Sequence, residues 1–318
     1  MKHISLILSE GCNLDCSYCY IIDKKSTEKI SFDTFKKEFE DIYEENENYI
    51  FDIMGGEPLM QMPLVIQFIE YSNSNGFKTN IMTNGLLLAP GIIKIFNDNK
   101  VTVSVSHDGI WQSERGKDFH PALIELIRTI DDLKIHAMWN GTMFGLKDNH
   151  KLLYNMFGVN PGITIVRDIG IWHKDNIEQA KEDISGLMDY ATSTNTIPAF
   201  FIHFLTHILR YHKKGYSPKD CGAGDTVLAF HDNKFFSCYR YFDKEDIFNS
   251  QVNSETIQDF CKSCSVNQYC EKGCLIQQLE NQKPIEYLCE MYVFIYGILV
   301  GNINKLNKDL IADLVSWV

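Results

Sequence analysis

"GCNLDCSYCY", residues 11–20, places Cys12, Cys16 and Cys19 within eight positions near the start of the chain. It follows "HISLIL" (3–8), an apolar run of strand length, so the three thiols fall in a loop at a strand's C-terminal end. The next cysteine is Cys221, and seven lie between residues 221 and 289. Small buried thiols scattered through a core would not leave residues 20–220 empty. Clustered thiols in a chain with no visible secretion signal point to metal instead. Disulfides do not persist in reducing compartments, and thiolates are soft ligands for iron and zinc.

The 318 residues carry 42 acidic and 30 basic side chains, a formal net charge of −12. Such a surface repels phosphate backbones, which argues against nucleic acid as the main partner. "ISLIL" offers only five apolar residues before Ser9-Glu10, too few for a signal peptide. "MYVFIYGILVG" (291–301) is too short to span a bilayer and is expected to pack as a buried helix. The expectation is a cytoplasmic protein with no membrane association.

Six strands are expected: "HISLIL", "YIFDIM" (49–54), "KTNIMT" (78–83), "VTVSVS" (101–106), "KIHAMW" (134–139) and "GITIVRDI" (162–169). Between them lie helical patterns. Ser31 is placed to cap a helix whose apolar face is Phe32, Phe35, Phe39 and Ile42; Pro63 suits the first turn of the next helix and Gly76 its exit. Further helices fit 89–98, 120–131, 147–157 and 174–193. Six strand–helix units imply an α/β fold with a parallel sheet, and they are too few for a closed eight-stranded barrel, so a partial (β/α)6 TIM-like barrel is expected over 1–195. A bridging helix is expected in 196–220, a small cysteine-rich domain in 221–289, and a C-terminal helix over 290–318.

Three thiolates cannot close a four-cysteine site. On a 4Fe–4S cluster they leave one iron open to a ligand; zinc with three cysteines and a water is the alternative. The pattern Cys12-x3-Cys16-x2-Cys19, with Tyr18 just before the last cysteine, resembles the signature of the radical S-adenosylmethionine (SAM) superfamily. That resemblance implies a SAM-binding 4Fe–4S cluster on the three thiolates. "MGGEP" (54–58) resembles the family's GGE motif, with Gly55 and Gly56 letting backbone approach a ligand and Glu57 accepting from the SAM ammonium. Asn84 in "TNGLLL" (83–88) and Ser106 in "SVSHDG" (104–109), the latter on the ribose, complete the implied SAM contacts together with Tyr18 and Arg115. Taken singly, Gly55-Gly56 and Asn84-Gly85 also read as plain turns, and Ser106 as a cap.

Cys261, Cys264, Cys270 and Cys274 read C-x2-C-x5-C-x3-C, with Cys289 fifteen residues later. With Cys221 and Cys238 they resemble the SPASM extension of radical SAM enzymes, which implies two auxiliary 4Fe–4S clusters and three clusters in all. Cys221, Cys238 and Cys274 would serve the first, with a fourth position open or filled by a residue such as Asp225. Cys261, Cys264, Cys270 and Cys289 would serve the second. Two zinc sites are the alternative. The family's glycine five residues before Cys238 is here Asn233, which tolerates the left-handed conformation.

The resemblance implies a peptide substrate with a leader sequence, held by the enzyme itself or by a separate leader-binding protein, and an electron donor such as flavodoxin or ferredoxin. Three outcomes follow from such relatives: a crosslink (thioether or C–C/C–O ring), formylglycine formation, or epimerisation of an α-carbon. The sulfatase-maturing relatives carry an aspartate base directly after the second auxiliary cysteine; Tyr239 and Arg240 follow Cys238 here. Epimerisation commonly uses a cysteine hydrogen donor, and all ten cysteines are claimed as ligands. Crosslinking is therefore the expected reaction. An enzyme on a small molecule such as a sugar shares the same sequence features. His203, His207 and His212 are read as packing or surface residues.

Overall fold

The computed structural model describes residues 1–21, 24–140, 142–166, 172, 174–215, 223–240, 261–270 and 286–317. By its internal contacts the chain divides into two units, one of Met1–His136, Leu153–Val159 and Gly222–Lys244, the other of Ala137–Leu152, Asn160–Cys221 and Glu245–Val318.

In the first unit, β1 (Lys2–Ile7), β2 (Tyr49–Met54), β3 (Lys78–Thr83), β4 (Thr102–Ser106) and β5 (Leu133–Trp139) pair as successive parallel neighbours. Helices α1 (Phe32–Ile42), α2 (Met62–Ser74), α3 (Pro90–Asp98) and α4 (Pro121–Ile127) connect them. The Ser31 hydroxyl accepts from Thr34 N–H at 3.2 Å and starts α1, while Pro63 sits in the first turn of α2 and Gly76, at φ +71°, ends its exit turn. The face of α1 then builds an aromatic core. The Phe35 ring meets Phe51 of β2 at 5.5 Å and Phe68 of α2 at 5.0 Å, both nearly edge-on.

One pairing was not anticipated. Residues Val227–His231 form β7, parallel to β1 on its other side, and Lys234–Phe236 form β8, antiparallel to β7. The hairpin turns at Asp232 and Asn233, both with φ near +50° to +60°. Asn233 thus adopts the left-handed conformation expected of it, and its side-chain oxygen accepts from Ser31 N–H at 2.6 Å. Phe230 is fully buried with its ring 5.2 Å from Phe35, so β7 completes the same core that α1 begins. A segment expected to belong to a separate domain is therefore a strand of the barrel sheet.

Strand β5 crosses into the second unit after His136, where β6 (Gly162–Ile165) follows α5 (Leu146–Phe157) beside its far half; Val166 N–H donates to Trp139 O at 2.7 Å. Among the described residues this unit also holds the helices α6 (Lys174–Thr194), α7 (Ala199–Lys214), α8 (Glu286–Asn302) and α9 (Lys308–Trp317). The apolar stretch 291–301 lies in α8, burying Met291, Tyr292, Ile295, Tyr296 and Leu299 while Val293 and Val300 face solvent. The single C-terminal helix expected over 290–318 is two helices. A 3-10 turn at Ile303–Lys305 and an extended Leu306 break it, and the Asn307 side chain restarts it by accepting from Asp309 and Leu310 N–H, each at 3.0 Å. Among the described residues no helix is long and apolar enough to cross a membrane.

Two buried histidines should lower stability in acid. The ring of His107, 1% exposed, lies edge-on to Phe119 and Phe157 and accepts from Gly109 N–H at 3.0 Å. Burial pushes its pKa down to about 4, and burial does the same to His150, also to about 4. A folded pKa below the unfolded one favours the neutral ring. The stabilisation is complete above about 6.5 and is lost as pH falls from there toward 4, by about 1.4 kcal/mol per pH unit for each ring. Urea unfolding between pH 7 and 4.5 should show this slope, and a His107→Asn/His150→Asn variant should be markedly less pH-dependent. Equal slopes would refute the assignment.

Candidate active site

The cysteine loop is built by the ends of β1, β2, β3 and β4. Cys12 N–H donates to Lys24 O at 2.9 Å, and Cys19 N–H to Cys16 O at 3.2 Å, which folds the last two thiols into one turn. Cys12 Sγ accepts from Leu14 N–H at 3.4 Å, and Asn84 Nδ2, which donates to Asn13 Oδ1 at 2.6 Å, lies 3.9 Å from the same sulfur. Burial raises the Cys12 and Cys16 thiols above their usual range; the Leu14 and Asn84 donors pull Cys12 back, and the Arg115 charge pulls Cys16 back. Each of these two thiols is also raised by the charge of its cysteine neighbours. A cationic iron centre bound to the loop would offset this cost for Cys12 and Cys16.

Gly55 and Gly56 serve the chain itself. Gly56 N–H donates to Ser9 O at 2.8 Å and Glu57 N–H to Gly11 O at 2.9 Å, fastening the end of β2 to the segment that leads into Cys12. A Cβ on Gly56 would lie 2.2 Å from Gly11 O and 2.3 Å from Glu10 O, and one on Gly55, at φ +143°, 2.5 Å from Ser9 O. The close approach expected toward a ligand is thus first an approach of backbone to backbone. Glu57 is 1% exposed, and its carboxylate accepts from Leu59 N–H at 3.0 Å, Thr83 Oγ1 at 2.7 Å and Asn84 N–H at 2.8 Å. Burial pushes this carboxyl's pKa up, against those donors. It braces β2 to β3 and fixes Asn84 beside Cys12.

Tyr18 and Arg115 meet at Asp108, a residue to which the sequence reading gave no role. The Tyr18 hydroxyl donates to Asp108 Oδ2 and accepts from Arg115 Nη1 at 2.7 Å; Arg115 Nη1 stands 3.7 Å from Asp108 Oδ1. Burial, then the Asp108 charge, pushes the Tyr18 pKa up, so the hydroxyl keeps its proton. Arg115 Nε is buried with no hydrogen-bond partner. A ligand carboxylate would satisfy it, and SAM carries one, so the donor set fits the implied cofactor. Ser106 ends β4, in register with His136 of β5, and is buried. The cysteine loop, Gly56, Glu57, Asn84, Tyr18 and Arg115 are thus linked through hydrogen bonds, Gly55 lies close against Ser9, and Ser106 lies at the neighbouring strand end.

For the auxiliary sites, Cys221, Cys274 and the cluster they would share lie outside the described residues. Cys238 Sγ accepts from Arg240 N–H at 3.5 Å, the Tyr239 ring lies 5.8 Å from that of Tyr20, and the Arg240 guanidinium lies over the Tyr20 ring at 5.4 Å. In the second unit, Cys264 N–H donates to Cys261 O at 3.1 Å and Cys270 N–H to Val266 O at 3.0 Å. Desolvation of its sulfur, then the charges of Cys261 and Cys264, push Cys289 up to about 11. Among the described residues no three His, Cys, Asp or Glu side chains are grouped for a single metal ion. His207 is a packing residue: its Nδ1 lies 3.1 Å from Tyr269 O and 3.2 Å from Tyr296 Oη.

A sheet-end loop with three thiols, a glycine-tightened brace and a buried arginine defines a radical SAM domain, and residues 6–156 match the family described as the Radical SAM superfamily. Residues 6–156 thus form a radical SAM domain. It is 27% identical over 322 residues to the cysteine-type anaerobic sulfatase-maturating enzyme of Clostridium novyi, covering 92% of this chain and 75% of that protein. It is 26% identical over 362 residues to the radical SAM cyclopropyl synthase TigE of Paramaledivibacter caminithermalis, covering 98% and 75%. With the uncharacterized protein MJ0907 of Methanocaldococcus jannaschii it shares 30% identity over 114 residues, and it spans only 40% of that relative. Its fold is similar to that of the solved structure of histidine-tagged anSMEcpe with bound AdoMet (TM-score 0.73, 18% identity, 99% of this chain and 98% of that one). It also resembles Streptococcus suis SuiB bound to precursor peptide SuiA (TM-score 0.61, 14% identity, 89% and 73%).

Proposed function

We propose that the protein is a peptide maturase that closes a ring in a ribosomally made peptide, using a SAM-binding 4Fe–4S cluster on Cys12, Cys16 and Cys19 and two auxiliary clusters. When bound, SAM and the first cluster supply a 5′-deoxyadenosyl radical able to take hydrogen from an unactivated carbon. The chain's own part is to orient and to exclude water. Asn84 and Leu14 donate to the Cys12 sulfur, Glu57 holds Asn84, and Arg115 offers Nε to the carboxylate of SAM. The Tyr18 and Gly55-Gly56 contacts fix the loop between them.

The observation that carries ring closure over formylglycine formation is the position after Cys238. The sulfatase-maturing relatives place a carboxylate base there; here an aromatic ring and a guanidinium pack on Tyr20. Neither accepts a proton at neutral pH. Ring closure would remove two hydrogens, one as an atom taken by the 5′-deoxyadenosyl radical and one as a proton released to solvent plus an electron that an auxiliary cluster would accept, so the peptide loses about two daltons and gains no aldehyde. The long alignment with the Clostridium novyi enzyme favours the second reading, in which a cysteine or serine side chain becomes an aldehyde. Mass spectrometry of the product, made in ordinary and in heavy water and treated with a hydrazide, decides. A hydrazide adduct would select formylglycine, and an unchanged mass with deuterium on an α-carbon would select epimerisation. The partners proposed are a leader-bearing peptide and a low-potential electron donor such as flavodoxin or ferredoxin. A separate leader-binding protein is a further candidate.

A further inference from the structure

Two successive residues of the cysteine loop are bonded to one segment. Ser17 N–H donates to Glu114 O at 2.9 Å, its hydroxyl reaches the Glu114 carboxylate, and the Tyr18 hydroxyl bonds Asp108 and Arg115. That segment, Gly109–Arg115, is a 3-10 stretch that leaves β4 and ends at Gly116 in the left-handed conformation. Side-chain bonds pin both of its ends. Asp108 N–H donates to Gln112 Oε1 at 2.8 Å, and Gln112 Nε2 donates on to Lys117 O at 2.6 Å. Asp108 is fully buried and Arg115 nearly so. A buried carboxylate and guanidinium keep a fixed geometry only while each is held by good donors and acceptors.

Arg115 thus has one edge engaged and one unsatisfied. Its Nη1 lies on the Tyr18 hydroxyl, which is fixed to the loop between Cys16 and Cys19, while its buried Nε has no partner. We propose that the Tyr18 hydroxyl is a positioning device, held between Asp108 and Arg115, that ties the geometry of the cysteine loop to occupation of the carboxylate-binding edge of Arg115. The inference rests on the reading of this site as one for SAM and a 4Fe–4S cluster, and assigns the aromatic residue of the motif a role through its hydroxyl. Engaging Nε tightens Arg115 and, through Nη1, the tyrosine and the thiols on either side of it. A phenylalanine keeps the ring and every thiolate but cuts that link.

The test uses the full chain, anaerobically reconstituted and reduced, with SAM as the probe. In the parent, adding SAM should alter the electron paramagnetic resonance spectrum of the first cluster. Absence of any SAM-dependent change would refute the SAM reading itself. Given that change, Tyr18→Phe should keep the parental iron content and need about tenfold more SAM to reach half of it, the ratio carried by one hydrogen bond to charged groups. Tyr18→Leu should behave no better than Tyr18→Phe. A Tyr18→Phe protein with the parental SAM dependence overturns the proposal, and if Tyr18→Leu alone were weakened, the ring rather than the hydroxyl would be doing the positioning.

Discussion

Replacing Cys12, Cys16 and Cys19 together with Ala should abolish reductive cleavage of SAM to 5′-deoxyadenosine and lower the iron content from about twelve to about eight per chain. The loop supplies three thiols and no histidine, and alanine offers iron nothing. The effect should be confined to the first cluster. Cys261, Cys264, Cys270 and Cys289, the proposed ligands of the second auxiliary cluster, lie in the other unit, and Cys264 and Cys270 are held by backbone bonds of their own. Iron and sulfide analysis with chromatographic detection of 5′-deoxyadenosine makes the check. A triple variant that still cleaved SAM at the parental rate would show that the thiols of 12–19 are structural.

Gly56→Ala should unfold the strand-end loop while leaving all ten cysteines in place. Its Cβ would lie 2.2 Å from Gly11 O and 2.3 Å from Glu10 O. Both are backbone atoms of the segment that leads into Cys12, and that segment is held there by the Glu57 N–H and Gly56 N–H bonds. A side-chain tip could swing aside; two backbone carbonyls in a fastened segment cannot. The expected cost is about 3 kcal/mol of stability, at the upper end for a small-to-large change at a packed site, together with loss of the first cluster. Gly91→Ala is the control. Nothing lies within 4 Å of its Cβ position and it sits in α3, so stability should hold or rise by a few tenths of a kcal/mol. Urea denaturation and iron analysis of both variants give the answer, and a Gly56→Ala protein as stable as the parent would remove the close approach from the account of the GGE segment.

The local features were legible in the sequence because each depends on neighbours within one turn or strand. The Phe32–Ile42 face with its Ser31 cap, the alternation along β2 and β3, and the three-cysteine spacing are of this kind. So is the left-handed Asn233, since only local sterics decide which residue tolerates that conformation. What the sequence did not determine depends on residues far apart. "VLAFH" (227–231) has no pattern that selects β1 as its partner; the choice is made by Phe230 fitting against Phe35 across almost two hundred residues. The break between α8 and α9 was hidden because apolar spacing continues through it, while Asn307 restarts the helix with a side-chain cap. In the site, glycine and glutamate were recognised as a motif, but their tasks were set by contact. Gly56 makes room for Gly11, and Glu57 is buried on Thr83 and Asn84. Asp108 stood in plain view within "SVSHDG" and carried no signal, because a buried carboxylate acquires its meaning only from the tyrosine and arginine that the fold brings to it.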